Sequence, residues 1–242
     1  MGDNRLVTVD FMLSLSSKRN LYRGKYLGSS LTQAQQETIA SGEFEDLYVG
    51  DYWTINQMDY IIADFDYWYG VGDTPMQIHH VVVIPRRPFV LDSMNDTDTT
   101  AGGYIGSKYW REKMGIDINR FTNAFGSMHV LTHREYLINA VANDVGTAGA
   151  WYDCPVVLPS EIMVYGTTIR AHPTTSVFAV TTTSSRQQLA LFRLNPQAAG
   201  AVSFWLRDVV SRYGFAVCAG QGHAGYSYAT VQSGYRPVVA IG

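Results

Sequence analysis

The densest set of side chains that could hold a metal is Asp64, Asp66 and Asp73 with His79 and His80. Mixed carboxylate and imidazole ligands suit a transition metal, whereas calcium or magnesium prefers oxygen alone. On a strand Asp64 and Asp66 share one face, while the adjacent His79 and His80 point to opposite faces, so at most one imidazole can converge with the carboxylates. Asp96 and Asp98, in the string MNDTDTTAGG, could offer calcium their loop oxygens; a solvated loop with Asx turns is the simpler alternative. Neither a DxDxDG loop nor an HExxH helix occurs. No metal or cofactor is expected. Covalent chemistry finds as little support. There is no GxSxG elbow to present a serine, and neither Cys154 nor Cys218 has a base beside it in sequence or a CxxC spacing. The GQGHAG string at 220–225 is followed by no helix, so it is a weak phosphate loop. No catalytic residue is assigned, and the chain is expected not to be an enzyme.

A different chemistry is written into residues 203–242, SFWLRDVVSRYGFAVCAGQGHAGYSYATVQSGYRPVVAIG. Two rigid-looking ends, Trp205-Leu206-Arg207-Asp208 and Gly234-Tyr235-Arg236-Pro237, enclose a middle of Gly, Ala, Ser, Tyr, Gln and His that carries no acid. That is the composition of a contact surface, because tyrosine offers a large, stiff, amphipathic area at small entropic cost and Ser and Gly adapt around it. The alternative is a Gly-rich hairpin with ordinary strand tyrosines.

The elements that must position this stretch follow from the rest of the chain. With 242 residues, 46% of them hydrophobic, it can bury a full core, and no linker or repeat divides it. The reading is an arm or strand over 1–28 and one domain over 29–242. A net charge of −3, with no basic block longer than Lys18-Arg19 or Arg86-Arg87, argues against nucleic acid or an anionic membrane as partner. No apolar run reaches the length of a membrane span, and the opening MGDNRLVTVDFMLSLSSKR lacks the pattern of a secretory signal. Residues 6–13 alternate loosely, as a strand would. Thr32 and Gln35 have capping-box spacing, which predicts a short helix stopped by Gly42. Three runs rich in β-branched and aromatic residues, at 44–55, 60–67 and 78–85, read as successive antiparallel strands split by Asn56-Gln57 and by Gly70–Pro75 turn signals. The 94–103 string reads as surface loop, and helical spacing resumes over 107–125, split near Gly115. Thr132 and Glu135 form a second capping box, which predicts a helix to about Asn143, with Leu131 stapled onto Tyr136. Short elements follow at 151–154 and 161–165, then a Thr/Ser-rich loop or edge strand at 174–185 and an apolar strand over 189–194.

Taken together, these strings resemble a known group. Residues 204–208 and 234–237 around a Tyr/Gly/Ser-rich middle, with GEFEDLYVGDYWTIN, ADFDYWY, HHVVVIP, MNDTDTTAGGYIGS and LTHREYL upstream, resemble phage virion proteins built on the C-type lectin-like fold of formylglycine-generating-enzyme relatives. The resemblance runs from about Leu21 onward. It implies an α+β, C-type lectin-like fold of irregular antiparallel sheets with a few short helices. In several proteins of this wider fold the middle of the C-terminal segment is diversified by retroelements that mutate adenines. On that basis Tyr213, Gln221, His223, Tyr226, Ser227 and Tyr228 are the expected ligand-binding residues, above a frame of Trp205, Arg207, Asp208 and Arg236. The implied role is that of a structural protein on the virion surface, homo-oligomeric, contacting other virion proteins and a host cell-surface protein or glycan. The alternative is a purely architectural component with the tyrosines in subunit contacts. The enzymatic branch of the fold uses a close pair of cysteines, which Cys154 and Cys218 do not match by motif.

Overall fold

The computed structural model describes residues 18–171, 187–200 and 202–242. The expected strand over 6–13 and the stretch at 174–185 lie outside the described residues.

Thr32 caps α1 (Gln33–Ala40) as its spacing predicts: its Oγ1 accepts the Gln35 N–H at 3.3 Å, while Gln35 Oε1 accepts the Thr32 N–H at 3.0 Å. Two helix-end donors are thereby satisfied. β1 (Tyr26–Gly28) lies parallel to β2 (Tyr52–Ile55), which forms a hairpin with β3 (Met58–Phe65). Asn56 and Gln57 turn it with φ of +51° and +64°, the left-handed pair that a two-residue hairpin turn requires. β4 (Val81–Pro85) adds to β3 and is buried along its whole length. After β5 (Val90–Asp92), a π-helical turn (Tyr109–Lys113) leads into α2 (Met114–Phe125). Phe121 and Phe125 of α2 pack on Tyr60 at 5.6 and 5.1 Å, and Phe125 meets Trp53 edge-on at 5.7 Å. Aromatic edges on faces give this part of the core directional contacts beyond simple burial.

The second half supplies β6 (Val130–Leu131), β7 (His133–Ala142), β8 (Val145–Cys154), β9 (Val156–Val157), α3 (Glu161–Tyr165) and α4 (Ala190–Leu194). A 3₁₀ turn (Pro196–Ala199) precedes β10 (Phe204–Ser211), β11 (Gly214–Cys218), β12 (Ala224–Tyr228), β13 (Ser233–Tyr235) and β14 (Val238–Ile241). One sheet runs β1-β2-β3-β4-β14-β6 with β9 also on β14; a second runs β12-β11-β10-β13-β5; β7 and β8 pair as a long hairpin. The architecture is therefore α+β, mostly sheet with a few short helices. Only Arg236 and Pro237 separate β13 from β14, yet these strands belong to different sheets.

Several expectations are corrected. Residues 133–142 form a strand, not a capped helix, and pair with β8 through a two-residue turn at Asn143 and Asp144 (φ +50° and +67°). The element at 151–154 is the end of β8, and the expected strand over 189–194 is instead the helical turn Ala190–Leu194. The 94–103 segment is a loop, but Met94, Asn95 and Thr100 are buried within it, so it is partly core. Residues 107–125 are helical as expected, with the break at Lys113 and Met114.

His133 stacks on the indole of Trp68 at 3.7 Å in the core, and neither of its ring nitrogens has a hydrogen-bond partner among the described residues. Burial lowers its pKa to about 3 from the 6.5 of a free side chain. The unfolded chain therefore takes up this proton below about pH 6.5 and the folded chain does not, so the stability His133 confers above pH 6.5 is lost as pH falls toward 3. His133→Phe keeps the stack and removes the proton. Denaturant unfolding should show the variant gaining on the parent by roughly 2 kcal/mol between pH 6.5 and 5. Equal pH slopes for the two proteins would contradict this.

Candidate functional site

β10 is the buried root of the C-terminal segment. Trp205 is fully buried, and its Nε1–H donates to the Asp92 carbonyl at 2.9 Å, which fastens β10 to β5. Arg207 donates to Glu135 Oε2 of β7 at 3.0 Å, and its backbone N–H donates to the Pro159 carbonyl. Asp208 accepts the backbone N–H of Glu161 at 2.6 Å. Loss of water around that carboxylate is the main cause that raises its pKa to about 6, with the Glu161 charge adding to it and Arg207 opposing. Arg236 is buried, donates to the carbonyls of Pro85 (2.8 Å) and Ala198 (2.6 Å), and lies over Phe204 and Phe192. Burial lowers its pKa to about 10.

From this root β11 and then β12 extend the sheet outward. β11 is buried throughout, whereas β12 is the edge. The register pairs Gly214 with Tyr228 and Ala216 with Tyr226, so Tyr226 and Tyr228 project from the same face, two residues apart. Tyr213, in the turn before β11, meets Tyr228 edge-on with centroids 6.4 Å apart. Tyr213, Tyr226 and Tyr228 are 48, 51 and 52% exposed, and Val231, 44% exposed, follows them. Gln221 and His223 are exposed in the turn that joins β11 to β12, and Ser227 is half-buried on the opposite face from the tyrosines. Thus Tyr213, Tyr226 and Tyr228 are brought together, Gln221 and His223 sit at the far end of the strand, and Ser227 is directed away from the tyrosines.

The backbone of β12 matters as well. Ala219 N–H donates to His223 O, and Ala229 N–H donates to Tyr213 O. In that antiparallel phase Gly225 and Ser227 turn their peptide groups toward β11, while Ala224, Tyr226 and Tyr228 turn theirs to the outer edge. Arg170 Nε reaches the Ala224 carbonyl at 3.4 Å and Val231 N–H reaches the Tyr228 carbonyl at 3.0 Å, both on that edge. Among the described residues no further strand pairs there. The sequence reading missed Arg212, whose guanidinium lies 5.7 Å from the Tyr213 ring centre and is held by Asp144 at 2.9 and 3.2 Å. Its place directly before Tyr213 was a usable signal. The arrangement is a neutral, aromatic, hydrogen-bonding surface suited to contact rather than to bond chemistry.

The other candidate groups are taken up in internal contacts. Asp64 is buried and accepts from Arg19 Nε (2.7 Å) and from the Phe65 and Ala190 N–H groups. Asp66 sits past the end of β3 with φ +50°, so it does not share a strand face with Asp64 as expected. It contacts His79 Nδ1 at 2.8 Å and accepts the His80 backbone N–H at 2.9 Å, while the two rings part, His79 stacking on Tyr69 and the buried His80 on Trp68. Asp98 accepts from the Thr230 N–H and hydroxyl, and Asp96 from Lys108. Among the described residues no group of three or more His, Cys, Asp or Glu is arranged to hold a metal. Cys154 and Cys218 are buried, free thiols, and burial raises the pKa of both, which disfavours the nucleophilic thiolate. No protein-family model, curated protein or solved structure matches this chain.

The seating of the tyrosine edge depends on Gly214. A Cβ there would stand 2.3 Å from the Ser227 carbonyl oxygen, a backbone atom that cannot swing aside. Gly214→Ala should therefore cost about 1–3 kcal/mol by overpacking and splay β12 from β11. Amide exchange at Gly225 and Ser227 should rise in step. An unaltered melting temperature with unaltered exchange would show that β12 is not held in this register.

Proposed function

We propose that this is a phage structural protein with a C-type lectin-like fold that displays the β11–β12 edge as a binding face for a host-surface protein or glycan. The supporting observation is the pairing of opposites along one hairpin: β11 is buried along its length, and β12 beside it presents Tyr226 and Tyr228 half exposed with Tyr213 against them. A face of this kind binds by burying stiff aromatic area, and its side chains can change without disturbing the strand that carries them. On this reading the protein sits on the virion surface, assembles as a homo-oligomer with other virion proteins, and is not an enzyme. A second reading, a purely architectural virion component with the tyrosines in subunit contacts, draws support from the outward peptide groups of β12, because an unpaired edge is a template for another chain.

Converting Tyr213, Gln221, His223, Tyr226 and Tyr228 together to Ala tests the face against the frame. Exposed substitutions usually move folding stability by no more than about 0.5 kcal/mol each, whereas tyrosines at the centre of an interface cost about 2 kcal/mol or more each in binding. The five-site variant should melt near the parent and lose attachment to host cells. Trp205→Ala should instead lose roughly 3–5 kcal/mol of stability, as buried aromatic truncations do. A five-site variant that melts far below the parent, or that attaches normally, would remove the binding-face reading; loss of particle assembly with attachment intact would favour the architectural one.

A further inference from the structure

A groove of about 500 Å³ opens at a place that shares no residue with β12, between the 74–78 loop and the start and end of the β7–β8 hairpin. Its volume is within the roughly 300–1,000 Å³ usual for small-ligand sites. The loop is held in shape before any ligand arrives. Gly70 N–H donates to the Met76 carbonyl at 2.8 Å, and Gly72, at φ +103°, lets the chain pass so close to the hairpin that a Cβ there would stand 2.9 Å from Arg134 Cβ. Arg134 is fixed in turn. Its Nε and Nη2 donate to the two oxygens of Asp73 at 2.7 and 2.8 Å, and its Nη1 donates to Asp153 Oδ1 at 3.1 Å.

The chemistry of the lining selects among ligands. Three of the five N–H donors of Arg134 are engaged by carboxylates, so its charge is already compensated. With Asp73 and Asp153 the ionic cluster carries one net negative charge. An anion would meet that charge and have to displace a bidentate carboxylate, and a cation would find three of the four carboxylate oxygens already holding Arg134, which leaves it Asp153 Oδ2 alone. A neutral ligand with adjacent hydroxyls meets neither obstacle, since each hydroxyl can donate to a carboxylate and accept from a guanidinium or amide N–H. Asp153 is 73% exposed, and Gln77, Thr74 and Thr132 add donors and acceptors around the groove. Ile78, half exposed, and Met76 supply an apolar wall. The geometry points to this groove as a binding site for a neutral saccharide unit, with hydroxyls on Asp153, Arg134 and Gln77 and the C–H face of the ring on Ile78 and Met76.

Saturation-transfer NMR on the full chain, with the methyl glycosides of galactose, glucose, mannose and N-acetylglucosamine as probes, tests this assignment. At least one glycoside should receive saturation, and Asp153→Asn should weaken its binding about tenfold, the effect of losing one hydrogen bond to a charged group. Because Asp153 also steadies Arg134, Gln77→Ala serves as the second variant; it leaves the ion network intact and should weaken binding as well. Transfer to none of the four probes would overturn the assignment, as would binding unchanged in both groove variants. So would displacement of the glycoside from the groove by inorganic phosphate or spermidine at lower concentration. A signal lost in Tyr226→Ser but kept in both groove variants would put the sugar on the tyrosine edge, and would overturn the groove while leaving the proposed function standing.

Discussion

The buried ion pair between Glu135 and Arg207 is the contact on which the rest of the arrangement depends. Glu135 Oε2 accepts from Arg207, and Oε1 accepts from the Trp68 indole N–H at 2.8 Å, so one carboxylate joins β7, β10 and the segment after β3. Both charged residues are almost fully out of water. Such a pair adds little net stability over a well-packed apolar substitute, but leaving either charge alone costs about 3–5 kcal/mol. Its effect is selective: alternatives in which the β7–β8 hairpin slips by one residue would turn Glu135 to the other face and strand Arg207 in the core. The pair thus fixes the register of the hairpin and the seat of β10, and through β10 the position of the exposed edge two strands away.

Arg236 solves a related problem at the junction of the two sheets. The chain leaves β13 in one sheet and enters β14 in the other within two residues, which leaves the carbonyls of Pro85 and Ala198 facing the same interior space. A guanidinium can donate to both in one plane while its faces rest on Phe204 and Phe192, at 5.2 and 5.8 Å. Lysine has neither the planar fork nor the stacking face. No salt bridge to Arg236 is present among the described residues, and its lowered pKa is the consequence of burial, with the nearby Arg86 charge acting in the same direction.

This polar use of the core also explains which parts of the structure were legible in the sequence. The α1 cap, the β2–β3 hairpin and the exposed tyrosines could be read because each obeys a local rule: a reciprocal cap, a two-residue turn between apolar runs, a neutral aromatic stretch. β7 was misread because its inward positions are His133, Glu135 and Leu137. The alternation is there, but two of the three buried residues are polar, so it is invisible to a reading that equates buried with apolar, and Thr132 with Glu135 then imitates a helix cap. The Asn143-Asp144 turn was the available counter-signal. Residues 189–194 failed for a simpler reason, since a short apolar run fits a buried strand and a buried helical turn equally well. The groove beside Arg134 was not legible at all; Asp73, Arg134 and Asp153 are far apart in sequence and meet only because the hairpin folds against the 70–78 loop.

The division between frame and edge has a physical basis in where each strand finds its partners. Every residue of β11 is covered on both faces and β10 lies on its inner side, so a change there is felt by the core. β12 has β11 alone among the described residues, and its two tyrosines stay about half exposed and outside the buried core. Yet the strand is unguarded. Between Tyr213 and Val231 there is no Lys, Arg, Asp, Glu or Pro, the residues with which proteins usually keep an exposed edge from pairing with another chain. Arg170 and Val231 occupy one carbonyl each at its ends and leave the Tyr226 peptide turned outward. A neutral edge with half-exposed tyrosines and few guards is a standing invitation to association, and its presence beside so tightly specified a frame supports contact with a partner as the use of this surface.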